Sequence, residues 1–200
     1  MYLFFDTETT GLPNVWNAPL SRLSNWPQLV QLAWILYDND GNEIIKRHHI
    51  IHPFENNEPY WIHDDAIKIH RITNEKAFSN GRLIDYVLDE FSKQIQKAEI
   101  LVAHNVDFDW HVMAAEYLRR EFRRKNPFPL GYDSKVGYTK EMHQWSKKQN
   151  EKYRNPKAQE KLIPFADKDF ICTMEALTEY VGIPGSVSYT HLTLPTTGSV

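Results

Sequence analysis

The sequence feature that most constrains the fold is an apolar, aromatic run at the start of the chain. Residues 2–7 read YLFFDT, which predicts a buried β-strand. A second strand is predicted for Leu29–Tyr37 and a third for residues 43–51. Because the intervening sequence DNDGN is typical of a tight turn, these two strands are expected to form a hairpin.

Helices are predicted farther along the chain. Residues 82–98 predict a helix with one buried stripe, because apolar side chains recur there at every fourth position: Leu83, Val87, Phe91 and Ile95. Residues 99–103 predict a short strand, residues 108–124 a second helix, and a third helix begins near Met174. The order β-β-β-α-β-α-α predicts an α/β fold with a mixed β-sheet flanked by helices.

Two stretches do not fit regular elements. Residues 13–27 are rich in Pro, Asn and Trp and are interpreted as a loop, and residues 125–168 as a long, basic, Pro-interrupted insertion. Residues 119–161 hold 13 Lys or Arg against 5 Asp or Glu, although the whole chain has a net charge of −3. This segment either follows a phosphate backbone or is a solvated insertion. The charge pattern alone does not separate the two.

Length and composition indicate one soluble domain. The 200 residues, 42 % of them hydrophobic, can form an ordinary α/β core. Cys172 is the only cysteine, which excludes an intramolecular disulfide and favours a reducing compartment. The N-terminus has no basic region typical of a signal peptide, and no apolar run approaches the ~20 residues of a membrane span. We therefore expect a cytoplasmic protein with no membrane partner.

Two carboxylates stand where the first predicted strand ends. Strand side chains alternate, so Asp6 and Glu8 point to the same side. The turn-forming sequence TGLP at residues 10–13 places this acidic pair at the mouth of the strand. Like charges held together are costly unless a cation joins them. Hard oxygen ligands without a nearby cysteine favour Mg²⁺ or Mn²⁺ over zinc.

A second acidic motif follows another predicted strand. Residues 104–109 read HNVDFD and open the second helix. Asp109 is therefore expected in the first helical turn, where the positive end of the helix dipole favours an anion. An aspartate at this position could instead cap the helix. Asp107 is the better candidate for capping, which leaves Asp109 free for chemistry.

Together these motifs resemble the DEDD (DnaQ-like) superfamily of 3′→5′ exonucleases, which includes the proofreading epsilon subunit of bacterial replicative DNA polymerase. Residues 4–12, FFDTETTGL, match the first motif of that superfamily, and residues 101–109, LVAHNVDFD, match the second. Residues 69–73, IHRIT, are similar to a segment between those motifs. Residues 171–177, ICTMEAL, are similar to a downstream segment, with Cys172 in an Asp position. The resemblance implies a ribonuclease H-like fold.

The resemblance also implies the chemistry of the site. Two Mg²⁺ (or Mn²⁺) ions are expected on Asp6, Glu8 and Asp109, with Asp6 bridging both. Water would attack the terminal phosphodiester and release a nucleoside 5′-monophosphate from a single-stranded 3′ end. Leu12 is expected to wedge against the terminal base. The residues expected to bind the nucleotide are Thr9, Gly11, Leu12, His70, Asn105 and Phe108.

The third motif of the superfamily is expected to supply a general base and a fourth acid. It should follow the helix that begins near Met174, but nothing after Ser186 matches it. Residues 187–200 are similar instead to the translation of a sequencing adapter. We therefore interpret residues 1–186 as an exonuclease domain that is incomplete at its C-terminal end, and the rest as a non-native tail. A chain without the third motif is expected to be strongly impaired as an enzyme.

The sequence leaves several alternatives open. The expected substrate is DNA, in proofreading or repair and with a polymerase as a candidate partner, but RNA 3′-end trimming uses the same chemistry. A catalytically inactive nucleic-acid-binding domain is a further alternative. Trp16, Trp26 and Trp61 fall in predicted loops. They either anchor those loops to the core, which is the favoured interpretation, or stack on unpaired bases.

Overall fold

The fold is built on a mixed β-sheet of five strands in the order β3-β2-β1-β6-β7. The structure, a computed structural model, describes residues 1–55, 58–125 and 161–176. The strands are β1 (Tyr2–Thr9), β2 (Leu29–Tyr37), β3 (Glu43–Ile50), β4 (Phe54–Glu55), β5 (Glu58–Pro59), β6 (Ile100–Ala103) and β7 (Asp169–Cys172). The helices are α1 (Asp64–His70), α2 (Asn74–Asn80), α3 (Ile84–Ile95) and α4 (Val106–Lys125), with a 3₁₀ turn at Leu23–Asn25.

The pairing of the strands confirms the predicted mixed sheet. β1 pairs with β2, and β2 with β3, in antiparallel orientation. β6 is parallel both to β1 and to β7. β4 and β5 form a separate two-stranded sheet. The central strand β1 is therefore flanked on both sides, and its carboxyl end points the same way as that of β6.

The predicted hairpin of β2 and β3 is confirmed, and its turn shows why DNDGN folds in this way. Asp38 Oδ1 accepts hydrogen bonds from the backbone N–H groups of Asp40 (2.9 Å) and Asn42 (2.8 Å). Gly41 has a φ of 84°, a conformation that glycine adopts without steric cost. The side chain of Asp38 and the freedom of Gly41 together close the turn.

Helix α3 buries the predicted stripe except at its first member. Val87, Phe91 and Ile95 are fully buried in the main core. Leu83 was expected in the same stripe but is 70 % exposed. That part of the prediction is wrong because the helix begins at Ile84, so the preceding residue does not follow the helical spacing.

Two short helices, α1 and α2, are not predicted by the sequence pattern. Each has seven residues, too few to show the periodicity of an amphipathic helix. Local chemistry defines their ends instead. The Thr73 side chain accepts a hydrogen bond from the backbone N–H of Lys76 (3.1 Å) and caps α2. Arg71 ends α1 in the left-handed conformation, with a φ of 62°.

The last residues of the predicted insertion belong to the core. Residues 161–168 form turns in which Ile163 and Phe165 are buried. The end of this segment therefore contributes to the core, and the interpretation of residues 125–168 as an insertion stays a prediction.

The chain continues into the predicted third helix, which begins with helical residues 173–176. Residues 126–160 and 177–200 lie outside the described residues. They include most of the predicted insertion, the rest of the third helix and the tail interpreted as non-native. Within the described residues, no helix has the length and apolar character needed to cross a membrane.

One face of the sheet holds α4 in the position that matters for the site. Leu3 and Phe5 of β1 are buried in the same core as the apolar residues of α3 and α4. Helix α4 contacts β1, β2 and β6. Because α4 follows β6 after only two residues, its N-terminus lies at the carboxyl ends of β1 and β6.

Candidate active site

Strand β1 projects past its neighbour β6, and the acidic pair lies on the projecting part. The parallel pairing with β6 ends at Phe4, which faces Val102. The antiparallel pairing with β2 continues beyond this point through Asp6 and Glu8. Side chains alternate along a strand, so these two carboxylates share one side. They stand at an edge where one neighbouring strand is already missing.

The carboxylate of Asp109 fills the place that β6 leaves beside β1. Asp109 lies in the first turn of α4, as predicted, and is only 4 % exposed. Its Oδ1 accepts two hydrogen bonds from Thr7, one from the backbone N–H (3.0 Å) and one from Oγ1 (2.6 Å). The helix N-terminus adds favourable dipole charge. Thr7 thereby fixes the orientation of this carboxylate against the strand that carries the other two acids.

Asp107 does not cap the helix, contrary to the prediction. Helix α4 begins at Val106, so Asp107 is already its second residue, and its side chain is 80 % exposed. Asn105 precedes the helix, and its backbone carbonyl accepts hydrogen bonds from the N–H groups of Phe108 (2.9 Å) and Asp109 (3.3 Å). The predicted role of the Asn105 side chain in nucleotide binding stays a prediction.

The three acids form one electrostatic unit. Burial, and then the negative charge of Asp6, raise the pKa of Glu8 from 4.5 to about 7. Burial raises the pKa of Asp109 from 3.8 to about 7, the charge of Asp6 adds to the increase, and the hydrogen bonds from Thr7 oppose it. Two carboxyl groups that titrate near neutrality beside a third are typical of a functional site.

The donor set fits a hard divalent cation, although the ligand shell is not closed by these residues. Carboxylate oxygens are the ligands that Mg²⁺ and Mn²⁺ prefer, and a cation would relieve the mutual repulsion of the acids. Across residues 1–55, 58–125 and 161–176, no three His, Cys, Asp or Glu side chains converge closely enough to enclose an ion. The structure therefore brings the predicted acids to one edge of the sheet with one oxygen of Asp109 turned to Thr7.

The predicted nucleotide-binding loop follows β1 directly. Thr10 is tied to Gln28 by two hydrogen bonds, from Thr10 N to the Gln28 carbonyl (3.0 Å) and from Gln28 N to Thr10 Oγ1 (3.1 Å). Thr9 Oγ1 donates to the carbonyl of Gly11 (2.6 Å). A Cβ added at Gly11 would meet no atom within 4 Å, so the space beside this backbone is open to a ligand. Leu12 is 62 % exposed at the tip.

A buried ion pair on α4 holds the segment that supports this loop. Arg119 Nη1 donates to Glu116 Oε1 (2.5 Å), and both side chains are almost fully buried. Glu116 Oε1 also accepts from the backbone N–H of Leu29 (3.2 Å). The guanidinium donates to three further backbone carbonyls, those of Leu23, Trp26 and Pro27. We call this pair the α4 clamp.

The α4 clamp was missed by the sequence analysis, although a signal for it exists. Glu116 lies seven residues after Asp109, which is two helical turns, so both face the same way. Their neighbours Val112, Met113 and Ala115 are fully buried. A charged pair on the apolar side of a helix indicates a buried, fully hydrogen-bonded role.

A cleft of about 520 Å³ lies between the loop and α4. Its lining includes Thr10, Gly11 and Leu12 of the predicted nucleotide-binding loop together with Asn25, Gln28 and Arg119. The predicted residue His70 is not part of this lining. It closes α1, where its Nδ1 accepts a hydrogen bond from the backbone N–H of Ile72 (3.0 Å). Its role in nucleotide binding stays a prediction.

The segment around Cys172 lies against the second motif. The thiol of Cys172 donates to the carbonyl of His104 (3.1 Å), and the backbone N–H of Met174 donates to the same oxygen (3.0 Å). His104 Nδ1 lies 3.2 Å from Thr173 Oγ1. At the end of β7 the chain therefore returns to the edge of the sheet that carries the acids, which we call the active edge.

Comparison with known families identifies the class of protein that this site and fold define. A family model described as "RNase_T: Exonuclease" matches residues 3–177, and the chain belongs to this exonuclease family. No curated protein matches the chain. The DEDD superfamily assignment is confirmed, whereas similarity specific to the epsilon subunit stays a prediction.

Solved structures of exonuclease I share the fold. The chain is similar to exonuclease I with bound product at 15 % identity and a TM-score of 0.54, covering 94 % of this chain and 34 % of that one. SSB/exonuclease I in complex with the inhibitor CFAM is 16 % identical with a TM-score of 0.55, and the match covers 94 % of this chain and 32 % of that one. Escherichia coli exonuclease I in complex with a dA16 oligonucleotide is 21 % identical with a TM-score of 0.47, and the match covers 59 % of this chain and 24 % of that one. The chain thus spans about a third or less of each of these proteins. The two structures with a TM-score above 0.5 confirm the ribonuclease H-like fold.

Proposed function

We propose that this chain carries the catalytic acids of a metal-dependent 3′→5′ exonuclease that releases nucleoside 5′-monophosphates from single-stranded DNA ends. One observation carries the proposal. Asp6, Glu8 and Asp109 share one edge of the sheet, where burial and the charge of Asp6 raise the pKa of the other two to about 7. Membership of the exonuclease family supports the same activity.

The three acids would hold the divalent ions, Mg²⁺ or Mn²⁺. When bound, such ions lower the pKa of water and stabilise the charge that develops on the scissile phosphate. Asp6 is the residue whose charge acts on both other acids, which suits it to a shared position between them. Thr7 keeps Asp109 in a single orientation through two hydrogen bonds. The protein thereby holds one of the three proposed ligands in place, and the other two lie on the adjoining strand β1.

The loop after β1 would hold the terminal nucleotide. Its backbone is open on the side of Gly11, and Thr10 is fixed to Gln28, so a nucleotide can approach a rigid stretch of chain. Leu12 projects from this loop and is available to wedge against the terminal base. The scissile phosphate would lie beside the acids while the terminal base lies beside the loop. This arrangement would select the end of a strand.

The general base and fourth acid of the third motif cannot be assigned among the described residues. A test of the proposed function therefore needs a readout that does not depend on fast turnover. The first readout is the binding of Mn²⁺ or Mg²⁺, measured by calorimetry. The second is the digestion of a 5′-labelled single-stranded oligonucleotide. Cleavage from the 3′ end shortens the labelled strand one nucleotide at a time.

Asp6→Asn is expected to abolish metal binding and to reduce cleavage at least about a hundredfold, because it removes the charge common to both other acids. Asp107→Asn is the matched control. It removes the same charge from an exposed side chain in the first turn of α4 and should leave both readouts unchanged. Metal binding retained in Asp6→Asn, or labelled mononucleotide released at once from the 5′ end, would contradict the proposal.

The choice of DNA rests on the motif resemblance to proofreading enzymes, and so do a role in proofreading or repair and a polymerase as partner. Oligonucleotides of the same sequence in DNA and RNA form separate the two substrates. A DNA strand degraded faster than its RNA counterpart supports the proposal. Preference for RNA would move the function to RNA 3′-end trimming by the same site.

A further inference from the structure

The loop beyond Leu12 is held in one conformation by a buried asparagine. Asn25 is 4 % exposed. Its Oδ1 accepts from the backbone N–H of Val15 (2.9 Å), and its Nδ2 donates to the Val15 carbonyl (2.9 Å). The Asn25 carbonyl also accepts from the N–H of Asn14 (3.2 Å). Three hydrogen bonds therefore fix the backbone immediately before Trp16.

Trp16 rests on the helix that carries the catalytic aspartate. Its ring centroid lies 5.9 Å from that of Phe108, with the two planes at 51°. Phe108 is the residue directly before Asp109 in the first turn of α4. Trp16 is nevertheless 43 % exposed, so one part of the indole is anchored and another part faces solvent. Trp26, at 4 % exposure, is buried in the core, whereas the interpretation of Trp16 as a core anchor stays a prediction.

Trp16 is part of an exposed apolar strip beside the acidic site. The strip consists of Leu12, Val15 and Trp16, which are 62 %, 49 % and 43 % exposed. Exposed apolar side chains that are held rigidly next to a functional site mark a binding surface. The strip starts at Leu12 in the proposed nucleotide-binding loop, and its last member, Trp16, contacts Phe108, the residue before Asp109. The strip therefore lies next to the acidic site.

We infer that Trp16 stacks on an unpaired base of the substrate strand, upstream of the terminal nucleotide. This inference rests on the proposed function and specifies its substrate. Bases are the apolar part of a nucleic acid, and an aromatic ring binds them with little regard to sequence. A base within a duplex has both faces covered by its neighbours, so an indole at this position selects single strands. The anchoring by Asn25 and Phe108 lowers the entropic cost of stacking.

The test measures binding in Ca²⁺ so that it does not depend on turnover. Fluorescence anisotropy of a labelled single strand of about 12 nucleotides gives the Kd. Trp16→Ala should raise the Kd on the order of tenfold, and Trp16→Phe should retain most of the affinity, since a ring is still present. Trp16→Leu keeps an apolar contact with Phe108 and should bind like Trp16→Ala. Thermal unfolding of each variant establishes that it folds.

Trp61→Ala is the matched control. Trp61 is 65 % exposed, more than Trp16, and its ring contacts Phe78 rather than α4. Its loss should leave the Kd unchanged. Equal losses in Trp16→Ala and Trp61→Ala would show a nonspecific effect and overturn the inference, as would Trp16→Leu binding as tightly as the unchanged protein.

A scan with abasic nucleotides locates the stacked base. Single strands with one base removed at the second, third or fourth position from the 3′ end are bound to the unchanged protein and to Trp16→Ala. At one position the loss of the base and the loss of the indole should not add, because they remove the same contact. Additive losses at all three positions would overturn the inference. If the unchanged protein binds no oligonucleotide at all, the proposed function itself fails, which is a distinguishable result.

Discussion

At the scale of single residues, the carboxyl groups at the end of β1 make the stability of the metal-free protein depend on pH. A folded-state pKa above the ordinary value means that folding favours the protonated form. The resulting stability is complete below the ordinary values, 4.5 for Glu8 and 3.8 for Asp109, and is lost as the pH rises through about 7. Above that pH the site holds negative charges that repel one another.

At about pH 8.5, Glu8→Gln is therefore expected to have a higher thermal midpoint than the unchanged protein. At about pH 5.5 the difference should be much smaller. The substitution keeps the shape of the side chain and removes the charge that burial and Asp6 oppose. Melting curves in EDTA at both pH values measure the difference. Addition of Mg²⁺ at the higher pH should stabilise the unchanged protein more than Glu8→Gln.

Asp107→Asn is the control for this pH dependence, since it removes a charge from an exposed position in α4. It should change the midpoint at the higher pH much less than Glu8→Gln does. A Glu8→Gln midpoint that differs from the unchanged protein equally at both pH values would contradict the electrostatic interpretation of the site.

The proximity of Asp6 and Glu8 could be predicted from the sequence, but the surroundings of Asp109 could not. Asp6 and Glu8 are two residues apart on a strand, so local geometry places them together. The contact of Asp109 with Thr7 joins residues 102 positions apart. No local pattern specifies such a hydrogen bond. Its existence depends on β6 ending while β1 continues, which only the assembled sheet shows.

At the scale of secondary structure, helix α4 connects the acidic site to the loop that lies beside it. Its first turn carries Asp109, and the α4 clamp two to three turns later binds the segment that leads into β2. That segment is bonded through Gln28 to Thr10. A single helix therefore sets the distance between the acids and the loop that follows β1.

Arg119→Ala is expected to lower the free energy of unfolding by about 3–5 kcal/mol, because it leaves a buried carboxylate and several carbonyls without their donor. Urea denaturation measures this loss. Arg119→Lys keeps the charge but has fewer donors, and should recover only part of the stability. In the folded variants, KM for single strands should rise more than kcat falls, since the loop is displaced rather than the acids.

Lys68→Ala is the matched control for the α4 clamp. Lys68 forms an ion pair with Asp65 at the same i,i+3 spacing, but both side chains are exposed. Its removal should change the stability little. If Arg119→Ala were as mild as Lys68→Ala, the clamp would not hold the loop, and the position of Thr10 would need another explanation.

Element prediction succeeded where the pattern was long and failed where it was short. β2 begins and ends at the predicted residues, because its nine residues are mostly apolar or aromatic and are bounded by turn sequences. α1 and α2, with seven residues each, are defined by Thr73 and Arg71 at their ends rather than by periodicity. Their apolar side chains, Ala66 and Ala77 among them, pack in a separate small core.

At the scale of the whole molecule, the active edge is assembled from segments that are distant in sequence. The first and second motifs come from β1 and α4, and the chain returns to His104 only after β7. Closing such long loops costs entropy that buried contacts must offset. The composition of residues 125–168 could not predict this return, because it does not show that Ile163 and Phe165 are buried in the core.

Phe165 is the side chain that best tests whether this returning segment belongs to the core. It is almost fully buried, and its ring contacts those of Trp110 (5.9 Å), Tyr117 (5.7 Å) and Phe170 (6.3 Å). Phe165→Ala is expected to lower the free energy of unfolding by about 3–5 kcal/mol, since it leaves a cavity between α4 and β7. Phe4→Ala, on the half-exposed face of β1, should lower the free energy of unfolding clearly less.

Urea denaturation followed by tryptophan fluorescence and by circular dichroism measures both variants. Coincident transitions with a large shift for Phe165→Ala support one cooperative core that includes residues 161–176, whereas an unchanged midpoint would separate this segment from the fold and from the active edge.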